Sequence, residues 1–136
     1  MVQEKTREAQ DAFPTAKTIF LVEDDAGIGD FLASAIEQET PYPALLLADG
    51  FQALKAVQDI RPDLLIVDYH LPRMNGLQLY DYLQAREGLK DTPTIMISAY
   101  FSFPPSELTK RHITGLKKPF DLDVVLRLID RSLSAA

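Results

Sequence analysis

A chain of 136 residues has the length of one domain, and its hydrophobic fraction of 46% and charged fraction of 25% are ordinary for a globular protein. A formal net charge of −6 argues against nucleic acid as the main ligand, since phosphate contacts need a basic stripe and Lys110-Arg111 and Lys117-Lys118 are too short to form one. Cysteine is absent, which removes disulfides and thiolate chemistry and suits a reducing compartment.

Residues 1–16 are polar, mix acidic with basic side chains and lack the apolar core of a signal peptide, so they are expected to form an extension outside the core. No apolar run approaches the length of a membrane span, and the expected location is the cytoplasm. Thr18–Val22 opens the domain as a short apolar run without in/out alternation, the pattern of a strand buried on both faces. Ile28, Phe31, Leu32, Ala35 and Ile36 then share one face of a helix.

Ala44–Ala48 predicts the second strand, and Phe51, Leu54 and Val57 the buried side of the second helix. Asp63–Val67 and Thr94–Ser98, each introduced by a proline, predict the third and fourth strands. Gly76, Leu79, Tyr80 and Leu83 mark the helix between them. The fourth crossover is irregular: residues 101–105 read as a loop, and any helix over residues 106–111 is short. Ile113–Lys117 is a weaker fifth strand. Asp121 is the expected N-cap of a last helix that buries Val125, Leu128 and Ile129. Strands alternating with helices predict one doubly wound α/β domain over residues 17–134, with flavodoxin-like strand order 2-1-3-4-5.

Ligands of an open parallel sheet bind beyond the carboxyl ends of its strands. Glu23-Asp24-Asp25 follow the first strand, Asp68 the third, Ser98-Ala99 close the fourth, and Lys118-Pro119 follow the fifth. Each has a bland reading. The acidic run caps a helix, Asp68 starts a turn, Ser98 is an N-cap, and Lys118 is a solvated charge before a helix-opening proline. Together they say more. Crowded carboxylates raise one another's pKa and need compensation, which an ammonium and a bound Mg²⁺ would supply. An Asp in such a site can attack phosphorus to give an acyl phosphate.

Phe20-Leu21-Val22-Glu23-Asp24-Asp25, Val67 through Gly76, Ile97-Ser98-Ala99 and Lys118-Pro119-Phe120 resemble, in order, the receiver-domain signature of two-component response regulators. The resemblance covers nearly the whole chain and implies a phosphoacceptor signalling domain rather than an enzyme with a separate substrate. It implies Asp68 as the phosphoacceptor, with Glu23, Asp24, Asp68 and the backbone carbonyl of His70 as the Mg²⁺ ligands. Ser98 would be the switch hydroxyl and Lys118 the phosphate-binding lysine, with a cis Lys118–Pro119 bond. The implied donor is a histidine kinase or histidine phosphotransfer protein, docking around Ile28 and Phe120. Output would go to a downstream protein target, and oligomeric state is open.

One departure stands out. The family's usual aromatic three residues before the lysine is Gly115 here, so the common aromatic switch is not expected. Tyr100, Phe101 or Phe103 are candidate substitutes, and His70 and Tyr100 occupy the family's variable sites beside the attacking water. Imidazole ligation by His70 or His112 is not expected, because neither has a second ligand at metal spacing. The alternatives are a pseudo-receiver that binds without phosphorylation, a dehalogenase-type phosphatase and a flavin carrier. The phosphatase would need Asp-x-Asp on the first strand, and the flavin carrier an uncharged phosphate loop where this chain is acidic.

Overall fold

The computed structural model describes residues 17–89, 91–99 and 105–134. Five strands alternate with five helices: β1 (Ile19–Val22), α1 (Ala26–Glu39), β2 (Ala44–Leu47), α2 (Gly50–Ala56), β3 (Leu64–Asp68), α3 (Gly76–Glu87), β4 (Thr94–Ser98), α4 (Pro105–Lys110), β5 (Thr114–Lys117) and α5 (Leu122–Ser134). The strands form one parallel sheet in the order β2-β1-β3-β4-β5, as the alternation of periods predicts. The expected extension over residues 1–16, and residues 101–104 of the loop expected over 101–105, lie outside the described residues. Pro105 belongs to α4 as its first residue, where its missing N–H is harmless.

Successive residues of the central strands face opposite layers. Phe20, Val22, Leu65 and Val67 pack with Ala53 and Val57 of the α2 segment and with Leu79 and Leu83 of α3. Ile19, Leu21, Leu64, Ile66, Ile95 and Ile97 pack with Leu32 and Ile36 of α1 and with Val125 and Ile129 of α5. Both faces are covered, which is why β1, β3 and β4 read as unbroken apolar runs. A third cluster joins Met96 to Leu77, Tyr80, Leu108 and Ile113 and seats the short α4.

Two aromatics depart from the expected helix faces. Phe31 and Phe51 are 59% and 47% exposed. The cause in both helices is a buried glycine. A Cβ on Gly29 would lie 2.8 Å from Leu46 Cδ1, so α1 approaches β2 through that residue, and Phe31, about 200° further round the helix, faces out. Gly50 packs against Met74 in the same way and turns its neighbour Phe51 outward.

Local capping fixes the helix starts near the sheet edge. Asp25 Oδ1 accepts the Ile28 amide at 2.9 Å, and Asp49 Oδ1 accepts the Gln52 amide at 2.8 Å. Asn75 and Gln78 form a reciprocal capping box, and α3 ends at Gly88 in the left-handed region with φ 67°. The Asp121 carbonyl accepts the Val124 amide at 3.0 Å at the start of α5. Among the described residues no helix is long and apolar enough to cross a membrane.

Candidate functional site

Sheet register brings the chemistry together. Val22 pairs with Val67, Asp68 with Ile97, and Ser98 with Lys117, so the ends of four strands lie along one edge. The ladder then runs one residue further: Glu23 N–H donates to Leu47 O (2.9 Å), Tyr69 N–H to Ile97 O (2.8 Å) and Lys118 N–H to Ser98 O (2.7 Å). Glu23, Asp68, Ser98 and Lys118 are thus positioned by backbone bonds before any side-chain contact is counted.

The side chains converge. Lys118 Nζ donates to Asp68 Oδ2 at 2.9 Å and to Glu23 Oε1 at 3.3 Å. The remaining carboxylate oxygens each accept a backbone amide: His70 N–H donates to Asp68 Oδ1 at 2.9 Å, and Asp25 N–H to Glu23 Oε2 at 3.1 Å. Glu23 and Asp68 are buried, while Asp24 is exposed at the rim. One oxygen from each of Glu23, Asp24 and Asp68 lies within 4.8 Å of the others.

Three carboxylates and one ammonium leave an excess of negative charge in a partly dry site. Burial pushes the Glu23 carboxyl up to about 7, and the neighbouring Asp68 adds to the rise, against the opposing Asp25 amide and Lys118 charge. Burial acts downward on Lys118, but its hydrogen bonds and charge contacts with Asp68 and Glu23 outweigh that and hold it above its ordinary value. A hard divalent cation suits this all-oxygen donor set, and Mg²⁺ needs only one or two carboxylates besides waters.

The bland readings separate cleanly. Asp25 is a helix cap, whereas Glu23 and Asp24 join the acidic cluster. Asp68 does anchor a turn, through the His70 amide, while its other oxygen meets Lys118. Ser98 is fully buried at the end of β4. The Lys118–Pro119 bond is cis, as expected. Among the described residues the acidic cluster takes in neither imidazole. His70 is exposed, with its ring edge-on to Tyr69 at 4.9 Å between centroids, and His112 is exposed before β5. Gly115 lies in β5 beside Met96, and Tyr100, Phe101 and Phe103 lie outside the described residues.

Gly76 has a role its place in the motif does not explain. Its N–H donates to Tyr69 O at 2.8 Å, and a Cβ there would meet Asp68 O at 2.8 Å, Tyr69 Cα at 3.0 Å and Met96 Cε at 3.2 Å. Only a bare α-carbon lets the start of α3 close on the backbone that carries Asp68. Beside the acidic cluster, Ile28, Phe31, Ala99, Pro119 and Phe120 line an open apolar depression of about 600 Å³ that reaches Lys118.

The family model described as the response regulator receiver domain matches residues 19–130. The DNA-binding response regulator MtrA of Mycobacterium tuberculosis is 37% identical over 81 residues, 60% of this chain and 34% of MtrA. The chain thus spans about a third of the length of the first curated relatives it matches. Protein Rrf1 of Nitratidesulfovibrio vulgaris is 31% identical over 117 residues, 85% of this chain and 82% of Rrf1. Among solved structures, the receiver domain of the Pseudomonas aeruginosa sensor histidine kinase PA1611 superposes with a TM-score of 0.75 at 24% identity. The match covers 89% of this chain and all of that one, which carries a magnesium ion in its active-site cleft.

The parallel sheet and its acidic edge are those of a receiver-type signalling domain. The chain belongs to the response-regulator receiver family.

Proposed function

We propose that Asp68 is the phosphoacceptor of this chain, in a receiver domain spanning residues 17–134. The observation that carries the reading is the contact set of one carboxylate: Asp68 Oδ2 against Lys118 Nζ, Oδ1 held by the His70 amide, and Glu23 and Asp24 oxygens alongside. Asp68 attacks the phosphorus of a phosphohistidine; the new O–P bond forms as the P–N bond breaks, and the imidazole leaves. Glu23, Asp24, Asp68 and the His70 carbonyl would hold Mg²⁺, which would supply charge neutralisation for the transferring phosphoryl group. Lys118 exchanges part of its contact with Asp68 for a phosphoryl oxygen, and the Ser98 hydroxyl donates to another.

The chain thereby catalyses only its own phosphorylation and dephosphorylation. The donor, a histidine kinase or histidine phosphotransfer protein in the cytoplasm, seats an apolar surface in the depression lined by Ile28 and Phe120, next to Lys118. Output passes to a downstream protein, without a rotating aromatic at Gly115. The pseudo-receiver alternative has no specific observation in its favour, because acceptor, acidic pair and lysine converge. ¹⁹F NMR with beryllofluoride, a phosphoryl mimic, tests the assignment. The expected result is a bound signal that needs Mg²⁺ and Asp68 and weakens in Ser98→Ala and Lys118→Ala. No bound signal with the wild-type chain, at any Mg²⁺ concentration, contradicts it.

A further inference from the structure

The α2–α3 face carries a second surface, apart from the depression beside Lys118. Phe51 and Tyr82 stand 47% and 44% exposed on it, each with an arginine over its ring. The Arg73 guanidinium carbon lies 4.6 Å from the Phe51 centroid, and that of Arg86 lies 5.8 Å from the Tyr82 centroid. Between the rings is a depression of about 360 Å³ floored by Leu54 and Met74.

The charge there runs against the rest of the molecule. On a chain of net charge −6, two guanidinium groups sit over aromatic rings on one face. Arg73 gives one N–H to Asp49 Oδ2 at 3.2 Å and keeps a side chain 66% exposed. Among the described residues Arg86 forms no salt bridge. A guanidinium over an aromatic ring keeps N–H groups available for carboxylates. Aromatic rings and arginines around an apolar floor have the composition of binding hot spots.

We propose that the face formed by Phe51, Arg73, Tyr82 and Arg86 docks an acidic segment of a partner protein that carries an aromatic or long aliphatic anchor. The anchor enters the depression and its flanking carboxylates meet the two arginines. Nucleic acid fits less well, since two arginines give few phosphate contacts and the remaining surface repels a polyanion. A symmetric pair of this chain would crowd four arginines into one interface. The surface also grips the loop that leaves the acceptor strand. Arg73 sits in that loop at φ 66°, and the loop is bonded to Asp68 through the His70 amide and to α3 through Gly76 N–H to Tyr69 O. Docking itself does not depend on phosphorylation of Asp68.

The test is selection of random short peptides displayed on phage against the full chain, followed by affinity measurement on variants. Enriched peptides should combine Asp or Glu with an aromatic or long aliphatic residue. Their affinity should fall at least about tenfold in Arg86→Glu and in Phe51→Ser, and change less than about twofold in Arg127→Glu, the same charge reversal on exposed α5. A circular dichroism melt of Arg86→Glu, close to that of wild type, separates lost docking from lost folding. Three results overturn the proposal: enriched peptides that bind Arg86→Glu and Phe51→Ser as well as wild type, an oligonucleotide whose binding those variants abolish, or a self-association, seen by sedimentation, that Arg86→Glu dissolves.

Discussion

Replacing Glu23 by Gln should stabilise the metal-free protein at neutral to alkaline pH. Glu23 is 3% exposed and its carboxyl is pushed up to about 7 from 4.5, first by burial and then by Asp68. Because the folded value lies above the unfolded one, the fold favours the protonated form. Below about pH 4.5 the group is protonated in both states and costs nothing; above about pH 7 it is ionised in both and the full cost is present. Stability from this group is therefore lost as pH rises between those values. The rise corresponds to an upper figure of about 3 kcal/mol, and relaxation around Lys118 reduces it to about 1–3 kcal/mol.

Gln keeps an oxygen for the Asp25 amide but carries no charge. In EDTA at pH 8 the variant should melt about 3–12 °C above wild type, and the gap should close towards pH 4.5. Mg²⁺ should narrow it from the other side, since an ion at ten times its Kd adds about 1.4 kcal/mol to the chain that binds it. Thermal melts across pH, with and without Mg²⁺, read all of this. A variant no more stable than wild type at pH 8, or a gap that does not depend on pH, would mean that the Glu23 charge carries no burial cost in the fold.

Gly76→Ala should cost about 1–3 kcal/mol, because its Cβ meets the Asp68 carbonyl and the Tyr69 Cα, which are backbone and cannot step aside; urea denaturation measures it. Lys118→Met should split two properties. Removing the cation beside Asp68 and Glu23 tightens Mg²⁺ binding roughly tenfold while slowing phosphorylation. Calorimetry suits the first readout, as the chain has no tryptophan for fluorescence. Ile28→Asp, in the apolar depression, should slow transfer from a phosphorylated histidine phosphotransfer protein at least about tenfold and leave the rate with acetyl phosphate unchanged.

The centre of the sheet was legible because β1, β3 and β4 are covered on both faces. Thr94–Ser98 matches β4 residue for residue, an apolar run of strand length introduced by a proline. The convergence of Glu23, Asp24, Asp68 and Lys118 was legible because strand order fixes which loops share an edge. The helix faces were less so. Spacing places Phe31 and Phe51 inward, but the close contacts of Gly29 with Leu46 and of Gly50 with Met74 turn both rings out. A hydrophobic pattern gives weight to large residues and none to the glycine through which a helix approaches its sheet. The arginine–aromatic surface follows from that same inversion, since Phe51 had to face outward before Arg73 could cover it. The division of labour in Glu23-Asp24-Asp25, two residues to the cluster and one to the cap, needed the atomic positions.

The most direct measurement is intact mass after incubation with acetyl phosphate, with and without Mg²⁺, on wild type and Asp68→Asn. One phosphoryl group should be added to the wild-type chain, dependent on Mg²⁺ and missing from the variant. An adduct that persists in Asp68→Asn, or a wild-type chain that accepts phosphate from neither acetyl phosphate nor a phosphohistidine donor, would contradict it.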